Sequence, residues 1–162
     1  MGLKSKLVYW RLGRIEKSGK RSKKFVNLNK AMHVGIIWNE DDRAAYEMLK
    51  KYLQEHKIPA KDICFSTEPR EITFSSNDFS YTGKPKNPTV IEFINEKFDL
   101  LIDISLSDKL PVQIVRALSV AGFKTGWSPA TPNFFDFSVD VSKHRDACFL
   151  AEQLIHYLNE IN

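Results

Sequence analysis

The sequence predicts an α/β domain built on an open, mainly parallel, Rossmann-like sheet with helices on both faces. Three observations carry this. Residues 33–67 read as strand, amphipathic helix, strand, a βαβ unit whose two strands must run parallel. Residues 98–104, Phe-Asp-Leu-Leu-Ile-Asp-Ile, are apolar nearly throughout, as a central strand covered on both faces requires. The alternation then repeats, with a helix after residue 108 and a further strand at Phe123–Trp127.

Residues 1–18 read as a helical segment that Gly19 is expected to end. Leu3, Leu7 and Trp10 share one face, and Val8, Leu12 and Ile15 a second, with Lys4 and Arg11 between them. A helix lying in a membrane surface shows one clean apolar face, and this one has two. Residues 18–24 read as a polar, basic linker. The first strand is His33–Trp38. Asn39, Glu40, Asp41 and Asp42 offer N-cap chemistry to a helix that buries Ala45, Met48, Leu49, Tyr52 and Leu53. Pro59 stops it, and Asp62–Thr67 is the next strand.

Glu71–Ser75 reads as a short edge strand, and Asn77–Pro88, with Gly83, Pro85 and Pro88, as a mobile loop. A short helix at Thr89–Asn95 leads into Phe98–Ile104. Asp108 is expected to cap a helix with Ile114, Leu118 and Ala121 inward, stopped by Gly122. Phe135, Phe137, Val139 and Val141 alternate with polar residues, so that stretch reads as an edge strand or hairpin. The last helix runs from about Lys143 to Ile161.

Charge divides the chain. Residues 1–30 hold ten basic residues against the single acid Glu16, and the rest holds 14 basic and 19 acidic residues, for a net charge of +4. The reading is therefore a basic segment, 1–30, on one α/β domain, 31–162. The two cysteines, Cys64 and Cys148, form no CxxC pair and read as buried thiols in a reducing compartment. No run approaches the roughly 20 apolar residues of a membrane span, and the N-terminal apolar run is too short for a secretory leader. A cytoplasmic location is expected.

Catalytic signatures are lacking. The four histidines have no metal-ligand spacing, no serine sits in a nucleophile elbow, and the loop after the first strand carries three acids and no phosphate-cradling glycine. The sequence assigns no catalytic residue, no metal and no cofactor; whether the chain is an enzyme stays open, with the balance against it. Two candidate sites remain. Parallel sheets bind ligands beyond the carboxyl ends of their strands, where Trp38, Asn39, Ser66, Thr67, Asp103, Ser105, Ser107 and Ser128 fall. The alternative for that set is that Asp103, Ser105, Ser107 and Asp108 only cap the following helix. The second candidate is the basic segment: Lys4, Lys6, Arg11, Arg14, Lys17, Lys20, Arg21, Lys23 and Lys24, interleaved with Tyr9, Trp10 and Phe25. Cations contact phosphates while aromatics stack on bases, so RNA or the ribosome is the first expected partner. An acidic protein is the next, with contact to an anionic membrane surface behind both. The alternative is a solubilising terminus whose charges face water.

Two resemblances add to this. The strand Phe98–Asp103, the helix after it and the strand Ala121–Trp127 resemble the N-terminal half of heptosyltransferase-type (GT-B) glycosyltransferases, in which YDLVIDL and AKxRIGF strands bracket a helix. That likeness covers roughly residues 31–127 and implies a small-molecule-binding, degenerate glycosyltransferase-like domain. The family's Gly-Asp pair has no counterpart in Trp38–Asp42, and 162 residues leave no room for its second, nucleotide-sugar domain. Over residues 25–162, including the ending Glu152–Ile161, the chain looks closer to a family of short uncharacterised bacterial proteins, a domain of unknown function. That likeness implies no activity.

Overall fold

A computed structural model describes residues 3–17, 21–68, 70 and 72–161, and within the first helix the side chains of residues 6–15. Five strands, β1 (Val34–Asn39), β2 (Ala60–Phe65), β3 (Leu100–Asp103), β4 (Phe123–Gly126) and β5 (Phe137–Ser138), form one sheet in the order β2-β1-β3-β4-β5. Every pairing is parallel. The helices are α1 (Leu3–Lys17), α2 (Arg43–Glu55), α3 (Pro88–Asn95), α4 (Leu110–Leu118) and α5 (Ala147–Glu160). The fold is the open, parallel α/β architecture that the alternation of elements predicts.

Pleating divides the strand side chains between two cores. Val34, Ile36, Trp38, Leu100, Ile102 and Phe123 point to the face covered by α2 and α5. Ile37, Ile63, Phe65 and Leu101 point to the face covered by α1, α3 and α4. Alternate residues of a strand must face opposite ways, so a strand apolar at every position needs two helical layers.

Helix α1 packs on α4 and buries Val8 and Leu12 there, while Leu7 and Trp10 stay exposed. Tyr9 Oη accepts a 2.8 Å bond from Gln113 Nε2 on α4. Helix α4 is therefore covered on two sides. Val112, Gln113, Ile114, Val115, Arg116 and Ala117 are all buried, where the sequence suggested a single inward stripe of Ile114, Leu118 and Ala121, and the helix ends at Leu118, short of Gly122.

Several boundaries differ from expectation. Lys109, not Asp108, is the N-cap of α4, and no side chain caps it. Asn39 caps a 3-10 turn at Glu40–Asp42 by accepting from Asp41 N, and α2 starts only after it. The expected edge strand at 71–75 reduces to one parallel bridge, Phe65 with Phe74; Glu71 itself lies outside the described residues, as does Gly19. Residues 77–88 are tied down rather than loose. Ser75 and Asp78 form a reciprocal capping box, Phe79 bridges to Pro85, and Phe74 and Phe79 are buried. Two buried aromatic rings anchor a loop more firmly than its glycine and prolines loosen it. Helix α5 begins at Ala147, where Asp146 accepts from Phe149 N.

Candidate functional site: two edges of the sheet

At the carboxyl edge, β3 delivers Asp103 beneath α4, which delivers Arg116. Both side chains are fully buried. Asp103 Oδ2 accepts from Arg116 Nε at 2.8 Å and from Nη2 at 2.6 Å. Its Oδ1 accepts from Ser105 N at 2.8 Å and Ser105 Oγ at 2.6 Å. Arg116 also donates to the carbonyls of Asn133 and Ser107, both at 3.2 Å, and its guanidinium lies 4.3 Å from the centre of the Phe135 ring. Two charges taken out of water need this density of bonds, because desolvation costs several kcal/mol per ion.

The serines complete the closure. Ser107 Oγ accepts from Lys109 N, Ser105 Oγ accepts from Ser107 N, and Ser128 Oγ donates to Ser107 O. Asp103 thus pairs with an arginine thirteen residues on instead of capping α4, whereas Ser107 does bond the backbone at the helix start. The sequence reading missed Arg116. Its signal was an arginine four residues after Val112, on the helix that follows a strand ending in aspartate.

The remaining crevice residues are scattered. Trp38 is buried, stacks on Tyr46 with ring centres 4.2 Å apart, and donates from Nε1 to Asp62 Oδ2 at 2.7 Å. Tyr46 Oη donates to the other oxygen of Asp62 at 2.9 Å. Burial, and then that bond, push the Tyr46 phenol well above its usual range. Arg43 covers Trp38 at 5.0 Å. The Asn39 side chain is spent on Asp41, Ser66 is buried, and Thr67 is exposed. Burial pushes the Cys64 thiol up to about 12, with nearby Glu40 adding to it. Among the described residues no cluster of His, Cys, Asp or Glu could hold a metal ion, and no helix is long and apolar enough to cross a membrane.

The opposite, amino-terminal edge is open. Residues 21–32 run past the start of β4, with Lys24 N donating to Gly122 O at 3.0 Å. The Asn27 amide donates to the carbonyls of Asn159 and Ile161, and Met32 N to Asp99 Oδ2. Between this segment and the loops at 95–99 and 120–122 lies a groove of about 940 Å³. Phe25 and Met32 line it while staying 74% and 76% exposed. None of the eight crevice residues borders it.

The basic segment is divided by the fold. Lys6, Arg14 and Lys24 are exposed, and Arg11 is half-buried. Arg21 makes a two-pronged pair with Asp136 at 2.8 and 2.7 Å, and Lys23 stands 3.6 Å from the same carboxylate. Burial works to raise the Asp136 pKa, but the bonds from Arg21 and from Lys124 N outweigh it and hold the carboxyl below the usual range. The side chains of Lys4 and Lys17, and all of Lys20, lie outside the described residues.

Fold and edges together define an open, parallel α/β domain whose usual ligand crevice is filled by its own ion pair. The profile of a family of unknown function, DUF6913, matches residues 4–161, and the chain belongs to that family. No curated protein and no solved structure matches it.

Proposed function

We propose that this is a non-catalytic binding or adaptor protein of the bacterial cytoplasm. Its basic N-terminal segment docks on an anionic macromolecule, RNA or the ribosome first. One observation carries the reading. Helix α1 is anchored on α4 by Val8 and Leu12, so its opposite face turns Lys6, Trp10 and Arg14 outward. Arg14 lies 4.9 Å from the centre of the Trp10 ring, which is 62% exposed. A cation beside an open aromatic face suits phosphate and base together.

The test is retention on RNA across a salt series. Each phosphate neutralised contributes a slope of about −0.7 to −0.9. Reversing Lys6 and Arg14 to Glu should flatten the slope by about two or more. A flat slope in the parent protein overturns the reading. Capture by an acidic protein without RNA binding would replace it.

A further inference from the structure

We propose that the groove at the amino-terminal edge binds single-stranded RNA, with Phe25 stacking on a base and Lys24, Lys30 and Lys97 contacting phosphates. This rests on the reading of the protein as an RNA binder and assigns that role a second site, away from α1.

The groove walls are held by hydrogen bonds, and part of its lining is exposed. Backbone and amide bonds pin the segment at Lys24, Asn27 and Met32, and Val120 N donates to Ile94 O at 3.1 Å across the floor. On that frame stand three exposed apolar side chains, Phe25, Met32 and Val120. A fold that buries Phe74, Phe98 and Phe123 almost completely has the means to bury Phe25. Instead, Phe25 touches Phe123 edge-on, with centres 5.0 Å apart and planes at 69°, and leaves its ring open. Exposed apolar groups clustered in a groove mark a binding surface.

Charge selects the occupant. Lys24, Lys30 and Lys97 line the same groove, and no ion pair is formed by any of them among the described residues. The carboxylate at the rim, Asp99, accepts at Oδ2 from Met32 N at 2.6 Å and His33 N at 3.2 Å, and the lysines of the lining outnumber it. Three available cations around an open phenyl ring are the elements of a single-strand site, where cations follow the backbone and an aromatic ring takes a base. A duplex keeps its bases stacked on each other and offers Phe25 nothing.

The experiment uses the full chain and a fluorescent oligouridine dodecamer, with an RNA duplex and phosphatidylglycerol vesicles as competing probes. Phe25→Leu keeps the apolar bulk and removes the ring; it should weaken single-strand binding about tenfold, while Phe25→Trp should retain it. Replacing Lys24, Lys30 and Lys97 together by Gln should reduce the salt slope by about two. Full binding by both groove variants, with loss on reversing Lys6 and Arg14, would overturn the groove site and leave the role of α1 standing. An absence of RNA binding in the parent protein would overturn both. Groove-dependent binding to vesicles but not to the oligonucleotide would overturn the RNA assignment in favour of a membrane surface.

Discussion

Arg116 holds Asp103 through two nitrogens at 2.8 and 2.6 Å, with neither side chain reaching water. Removing one partner leaves a buried, uncompensated charge. Arg116→Met and Asp103→Asn are each expected to cost about 3–5 kcal/mol in chemical denaturation. The double variant Asp103→Leu with Arg116→Met should recover much of the loss. A single variant as stable as the parent would show that the pair does not hold this edge together.

Gly126 sits against the same aspartate. Its φ is +153°, and an added Cβ would lie 2.5 Å from Asp103 O and 2.7 Å from the Phe135 ring. The oxygen belongs to the sheet backbone and cannot swing away. Gly126→Ala is expected to destabilise the protein by about 2 kcal/mol or more, read as a lower denaturation midpoint.

Leu12 is fully buried, although it lies in the most basic stretch of the chain. Leu12→Ala should cost about 2–5 kcal/mol in the same assay. Leu7→Ala, at an exposed position of the same helix, should be close to neutral. Equal, small effects would mean that α1 is not packed on α4 in solution.

Acid should test the Arg21–Asp136 pair. The folded carboxyl lies below its usual value, so the pair contributes stability above the unfolded pKa and loses it as pH falls through the folded one. In Arg21→Ala, burial acts with less opposition and raises the folded pKa. The acid-unfolding midpoint, followed by circular dichroism, should then move to higher pH. An unchanged midpoint would remove the pair from the acid response.

The thiol of Cys64 is buried and pushed up to about 12, so little thiolate forms. In a Cys148→Ser background, iodoacetamide at mildly alkaline pH should leave the native protein unmodified and label it once unfolded. Rapid labelling of the native state would show that β2 opens readily.

The strands were legible because burial on both faces leaves an apolar run with few alternatives. Leu100–Asp103 and Val34–Asn39 stand out for that reason. Strand β5 was less so: its alternation spans seven residues, but only Phe137 and Ser138 pair in register with β4, and the backbone bonds to β4 reach no further than Asp136 and Val139. The loop at 77–88 was misjudged because turn residues report local freedom, whereas the burial of Phe74 and Phe79 is a tertiary fact. The same limit applied to the candidate site. Asp103 was visible at a strand end, but its partner lay thirteen residues on in a helix, and only the packing of α4 over β3 brings the two side chains together. The exposed Phe25 and the charges near it were visible as composition. Their grouping with Lys97 depends on the crossover that carries β3 beside β1.

The Asn27 amide bonds Asn159 and Ile161, partners more than 130 residues downstream. A nascent chain emerges amino terminus first. Residues 21–32 therefore leave the ribosome early and wait for α5 to be translated before Asn27 finds its acceptors. A product of premature termination before residue 159 would carry the lysines and the phenylalanine of this edge, with the bonds at Lys24 and Met32 but without the two that hold Asn27. The amino-terminal edge is in this sense finished last: Asn27 meets both of its acceptors only on a chain that has been read through its final helix.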